Sequence, residues 1–191
     1  MDEGIIAGRL LVATPKLDDP NFRRSVVLLV EHEEDGGSLG VVLNRPTEVA
    51  VDQVLPPWSD LVTGPCVVFQ GGPVALDSAL ALAHIPGTEE PLGWRALSGS
   101  PAVARIGLVD LDAPPELLAP EVTKLRVFAG YAGWGVGQLR SEVDEGAWYV
   151  LQAESGDAFM DDPDRLWHDV LRRQGGDLAF VATFPEDPSL N

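Results

Sequence analysis

Basic residues are scarce in this chain: 13 of its 191 residues are Lys or Arg against 30 Asp or Glu, a formal charge of −17. A field of that sign repels phosphate backbones, whose binding depends on cations that release counterions, so a generic nucleic-acid binder is excluded. The acidic excess is shared evenly by the two halves of the chain, which hide neither an acidic tail nor a basic arm. Arg23-Arg24 and Arg172-Arg173 come nearest to a basic patch, and such pairs are ordinarily solvated. Cysteine is almost absent. Cys66 stands alone, which rules out an intramolecular disulfide and fits a reducing compartment. In the run Cys66-Val67-Val68-Phe69, with no Lys or His beside it, it reads as a small buried hydrophobe rather than a reactive thiol. Long apolar runs are missing too, none approaching the roughly 20 residues of a bilayer span. The start Met1-Asp2-Glu3-Gly4 lacks the basic region of a signal peptide, so a soluble, cytoplasmic protein is expected. The three histidines, His32, His84 and His168, stand 52 and 84 positions apart, none with a second His or Cys at ligand spacing. Neither a metal nor a cofactor is expected.

What is present is a 45% apolar chain punctuated by 20 glycines and 16 prolines, enough for one sizeable core. Gly8 to Ala13 and Ser25 to His32 read as strands, and the unbroken apolar run Val26 to Val30 predicts burial on both faces. The turn Asp35-Gly36-Gly37 leads into a further strand, Leu39 to Asn44, which makes a hairpin and which Pro46 ends. Val49 to Leu55 suits a short helix. Cys66 to Phe69, Ser78 to His84, Ala104 to Leu111, Lys124 to Tyr131 and Trp148 to Ala153 read as further strands. Helical turns are expected around Pro115, over Gln138 to Glu145, and over Pro163 to Arg173, the last capped by Asp162 and stopped by Gly175. Many strands without helical crossovers favour an α+β domain with a largely antiparallel sheet. One domain is expected, with a short extension over residues 1–7 and an extended tail over 184–191.

Several motifs invite chemistry and have plainer explanations. Gly36-Gly37-Ser38-Leu39-Gly40 matches a nucleophile elbow, but a strand rather than a helix follows Ser38. Gly133-Trp134-Gly135-Val136-Gly137 suggests a phosphate loop; its spacing departs from Gly-x-Gly-x-x-Gly, with Gln138 at the required glycine, and no Gly-Lys-Ser/Thr follows. Glu31 and Glu33 flank His32, yet strand alternation places them on the opposite face. His168 reads as a surface or boundary group between Arg165 and Arg172. Asp161-Asp162-Pro163-Asp164 has the charge of a calcium loop without its central glycine or closing Glu. His84 with Asp77 is a conceivable acid–base pair. In so acidic a chain, Arg45 of Asn44-Arg45-Pro46 either ties down a carboxylate or awaits an anion.

These pieces resemble the YqgE/AlgH family of bacterial proteins. The resemblance rests on Asp19-Pro20-Asn21-Phe22-Arg23-Arg24-Ser25-Val26, Glu31-His32, Leu39-Gly40-Val41-Val42-Leu43-Asn44-Arg45-Pro46 and Gly71-Gly72-Pro73-Val74. It continues in Gly130-Tyr131-Ala132-Gly133-Trp134, Gly137-Gln138-Leu139, Glu142 and Trp148, so it spans roughly Pro15 to Gly176. It implies a single α+β domain with a curved, barrel-like, mostly antiparallel sheet and a few packed helices. No activity or cofactor is established for that family, and one branch is named as a transcriptional regulator of alginate production. Arg140, where the family often has an acid, and Ala83, where a larger apolar residue is common, depart from the pattern.

The leading expectation is a non-enzymatic regulatory or binding protein, taking a protein partner or small ligand near the glycine-rich segments. Asn44, Arg45, Gly71, Gly72, His84, Trp134 and Gln138 are its candidate ligand-binding residues; direct nucleic-acid and membrane binding are not expected. The alternative is an enzyme acting on a nucleotide or other small anionic metabolite, with His84, Asp77 and Arg45 converging in one pocket.

Overall fold

Apolar side chains at alternate positions of the first two strands part to opposite sides, and this division organises the molecule. A computed structural model describes residues 4–186. Its strands are β1 (Arg9–Ala13), β2 (Val26–Glu33), β3 (Gly37–Val42), β4 (Pro46–Ala50), β5 (Val67–Gln70), β6 (Val74–His84), β7 (Trp94–Ala96), β8 (Ile106–Val109), β9 (Lys124–Trp134) and β10 (Trp148–Gln152). Its helices are α1 (Val51–Val54), α2 (Gln138–Asp144), α3 (Leu166–Gln174) and α4 (Gly176–Val181). Leu10, Val12, Val26, Leu28 and Val30 enter one core with Leu166, Trp167, Val170 and Leu171 of α3. Leu11, Ala13, Val27 and Leu29 enter another on the opposite face, with Trp134, Trp148 and Leu139 of α2. Burial on both faces is the reason β2 reads as an unbroken apolar run.

The strands follow the order β10-β1-β2-β3-β9-β6-β8-β7, antiparallel throughout, and curl into a half-barrel. β5 joins β4 in antiparallel fashion and meets β9 in the one parallel pairing among the described residues. Long strand β9 is the hub, with β6 on one side and β5 and β3 on the other. Close approach is needed where β5 passes into β6: a Cβ on Gly72 would lie 2.1 Å from the Tyr131 carbonyl carbon, and on Gly71 2.4 Å from the Gly130 oxygen. Those two glycines are backbone-contact positions.

The structure departs from the sequence reading in identifiable ways. Cys66 is exposed, not buried, because β5 begins one residue later and Cys66 stays in the preceding turn. Asp162 makes no side-chain cap; a 3-10 turn, Pro163–Arg165, intervenes before α3, and only the Asp162 carbonyl accepts a bond, from the Arg165 amide. Pro46 opens a strand instead of merely ending one, at a first position where its missing N–H costs nothing. β9 runs on through the glycine-rich segment to Trp134, while β7 and α4 carry too few periodic residues to announce themselves. The expected tail lies outside the described residues beyond Glu186, as do residues 1–3 of the expected extension. No described helix is long and apolar enough to cross a membrane.

Arg126 of β9 is fully buried, unusual for a group so costly to desolvate. Its guanidinium donates to the carbonyls of Ala158, Met160 and Gly64 and lies 4.3 Å above the Phe69 ring. Burial lowers its pKa to about 10, which still leaves it charged at neutral pH. The loop Gly156–Met160 is held a second time by Arg173, whose two terminal nitrogens grip Asp157 at 2.6 and 2.8 Å.

Candidate functional site

Three of the 13 basic residues converge on one cleft of about 1200 Å³. Thr14, Pro15, Asp18, Pro20, Arg23 and Arg24 supply one wall, from the loop joining β1 to β2. Arg45, from the link between β3 and β4, and Trp167 of α3 also line it, and Phe184, Pro185 and Glu186 close its other side.

The loop is shaped by local bonds. Asp19 accepts the amides of Phe22 and Arg23 through its carbonyl and that of Asn21 through its side chain, as expected of a turn-forming aspartate. Arg24 then takes a left-handed backbone, φ 54°, which is costly for a residue with a side chain. Buried Asn44 holds it there. The Asn44 side chain donates to the Arg24 carbonyl and accepts the Val26 amide, both at 2.9 Å. Arg45 adds a bond to the Arg23 carbonyl, and a longer one, 3.4 Å, to that of Asn44. Strain maintained by surrounding contacts is characteristic of functional sites.

The guanidinium of Arg24 lies 4.4 Å above the Trp167 ring and donates to Nε2 of His168 at 3.2 Å and to the Phe184 carbonyl. Because Arg can only donate, that imidazole nitrogen must be the unprotonated acceptor. The His168 pKa is correspondingly depressed, chiefly by burial, then by Arg24 and Arg172. Burial also lowers the pKa of Arg24 and of Arg45; Glu186 works against the first shift and Asp164 against the second. Neither effect deprotonates an arginine. Among the described residues, no carboxylate lies within 4 Å of a cationic nitrogen of Arg23, Arg24 or Arg45. The hydrogen-bond partners of Arg24 and Arg45 are neutral, so the positive charge of the cleft has no ion-pair partner at close range. Asp18 and Glu186 line the same cleft without pairing.

Of the seven residues singled out from sequence, Arg45 lines the cleft and Asn44 supports it from beneath. Gly71 and Gly72 serve the β5–β6 crossing. Trp134 lies on the other face of the sheet, its indole donating to Glu142 at 2.9 Å; the Trp148 indole donates to the same oxygen, also at 2.9 Å. Gln138 accepts the Gly135 amide and donates to Glu142. That use of Gln138 ties the glycine-rich turn to α2. His84 is bonded to Thr123 at the far end of β6, its pKa lowered by burial and then by Arg105. Asp77 is seven residues away along the same strand, roughly 20 Å at strand rise, so the two form no acid–base pair. His84 is not in the Arg45 cleft, and the convergence required of the enzyme alternative does not occur. Ser38 shares a 2.7 Å bond with Nδ1 of His32, its cross-strand neighbour, and a strand follows it. Missed from sequence as site residues were Trp167, His168, Arg23 and Arg24; the two arginines were visible as a surface pair and as part of the block Asp19 to Val26.

Fold and cleft together define a curled-sheet α+β protein with a cluster of arginines that lack acidic partners. The chain belongs to the AlgH-like family, DUF179, whose model matches residues 10–179. It is 63% identical to a UPF0301 protein of Streptomyces coelicolor over 190 residues, which cover 97% of this chain and 95% of that one. Its fold is similar to the crystal structure of a Corynebacterium diphtheriae protein, with a TM-score of 0.87, 33% identity and 95% and 93% of the two chains covered. It is also similar to the solution structure of the AlgH protein from Pseudomonas aeruginosa, with a TM-score of 0.66, 26% identity and 93% of each chain covered.

Proposed function

We propose that this protein is a non-enzymatic binding protein that takes an anionic group of a ligand or partner in the arginine cleft. The observation that carries this reading is the convergence of Arg23, Arg24 and Arg45, the last two anchored by neutral acceptors, in a chain with 30 acidic residues available to neutralise them. A guanidinium with free N–H groups is suited to carboxylates and phosphates. Binding is favoured over catalysis because the hydroxyl and the imidazole at the cleft are already engaged. The Thr14 hydroxyl donates to the Gly146 carbonyl at 2.6 Å, and His168 accepts from Arg24. A regulatory role, as in the branch named for alginate control, would operate through what this cleft binds rather than through duplex DNA, which the −17 field opposes.

Citrate and pyrophosphate serve as multivalent probes. Addition of either raises the melting temperature and moves the Trp167 indole resonance, and Arg45→Gln and Arg24→Gln abolish both responses. No response in the parent protein, or an equal one in the variants, defeats the proposal.

A further inference from the structure

The cleft differs from a compact phosphate site in three respects. Its volume, about 1200 Å³, exceeds the roughly 300–1000 Å³ usual for small-molecule pockets. Consecutive amides of its turn are spent: Asn21, Phe22 and Arg23 donate to Asp19, and Ser25 to Phe22, so this run offers no cradle of backbone N–H groups. Three prolines, Pro15, Pro20 and Pro185, stand in its lining with no amide hydrogen to give. Donors to an anion therefore come from guanidiniums spread over two loops, with rigid apolar surface between them.

An aromatic pair adjoins this lining. Phe184 of the wall stacks edge-to-face on Phe180 of α4, ring centres 5.6 Å apart, and Phe180 is 67% exposed. Exposed phenylalanine beside arginine and tryptophan is the composition of a protein-binding hot spot, and proline and aromatic walls lose little conformational entropy when covered.

Building on the anion-binding reading above, we infer that the occupant is an extended acidic peptide segment of a protein partner. Its carboxylates meet Arg23, Arg24 and Arg45, and a neighbouring apolar side chain covers Phe184 and Phe180. Charge complementarity selects the acidic segment: three arginines line the cleft against two carboxylates, Asp18 and Glu186, and no carboxylate pairs with any of the three among the described residues. Several spaced carboxylates match several spaced guanidiniums better than one phosphate does.

The test is fluorescence polarisation with a labelled octapeptide carrying Asp and Glu around a single phenylalanine. Its Asn/Gln counterpart serves as control, and inorganic phosphate and pyrophosphate as competitors. The acidic peptide binds saturably; the Arg45→Gln protein binds it about tenfold more weakly, the loss of one charged hydrogen bond, and the amide control, which loses every carboxylate, binds more weakly still. Phe180→Ala weakens the peptide several-fold and leaves citrate and pyrophosphate responses unchanged. If Arg45→Gln fails to fold, exposed Arg23→Gln replaces it. Pyrophosphate binding without peptide binding overturns this inference and spares the anion-binding reading. Absence of both overturns both, and peptide binding indifferent to the arginine and Phe180 substitutions overturns the placement in this cleft.

Discussion

A buried or half-buried polar side chain acts through the partners it must satisfy. Asn44, at a strand end, has the short amide that spans two backbone groups, and it keeps Arg24 in a left-handed conformation the residue would not adopt alone. Arg45 beside it presented an open question in so acidic a chain, carboxylate or anion. Its bonds go to backbone carbonyls, which position a cation without cancelling it. The same logic applies to His168, whose neutral lone pair orients Arg24. Because its folded pKa is depressed while the unfolded chain titrates near 6.5, the unfolded state binds more protons below that value. Stability associated with His168 is thus complete above pH about 6.5 and declines as pH falls toward the folded pKa. In melting curves from pH 7 to pH 5, His168→Gln, which keeps an acceptor but cannot titrate, loses less of its melting temperature than the parent. Identical slopes would show that the imidazole does not titrate against Arg24.

The short helices of this fold are secured by single side chains more than by length. α2 has only seven residues, and Glu142 joins it to the sheet by accepting the indole N–H groups of Trp134 on β9 and Trp148 on β10. Phe22 completes the cluster, 6.2 Å from Trp134 and 5.6 Å from Trp148. Glu142→Ala leaves two indole donors without an acceptor and lowers unfolding free energy by about 2–4 kcal/mol, measured by urea denaturation. Glu142→Gln retains a carbonyl oxygen that can accept from both and loses less; equal losses would mean that charge rather than hydrogen-bond geometry matters. At this scale the sequence was readable where periodicity was long. The apolar runs of β1, β2 and β9 and the helix after Pro163 stood out, and β7, with three residues, did not. Trp134 and Gln138 were conspicuous beside glycines, yet their neighbours show that they close a joint between α2 and the sheet. No local signal separates such a joint from a binding loop.

The molecule as a whole is an acidic body carrying a small basic recess, and the two act over different distances. Long-range repulsion from a charge of −17 slows the approach of an anion, whereas contact attraction belongs to three nearby guanidiniums. Screening shortens from about 30 Å at 0.01 M salt to about 8 Å at 0.15 M, which removes the repulsion before it weakens the contact. The association rate of the acidic octapeptide in stopped-flow therefore rises with salt over that range, opposite to ordinary electrostatic steering. A steep fall instead would show that the recess dominates the field.

By itself the sequence determined the alternation and apolar runs that make strands, the turns that join them, the α+β class and the excess of acid, because these depend on neighbouring residues and on sums. Motif blocks in order were enough to name the family. Only the tertiary structure decided that residues 23, 24, 45, 167 and 184 share one cleft and that His84 and Trp134 lie elsewhere. The physical reason is that two loops, a helix and the segment following α4 meet around one cleft of a curled sheet. Which distant side chains then face each other, and which charges remain unpaired, is a property of that closure and not of any local stretch of chain.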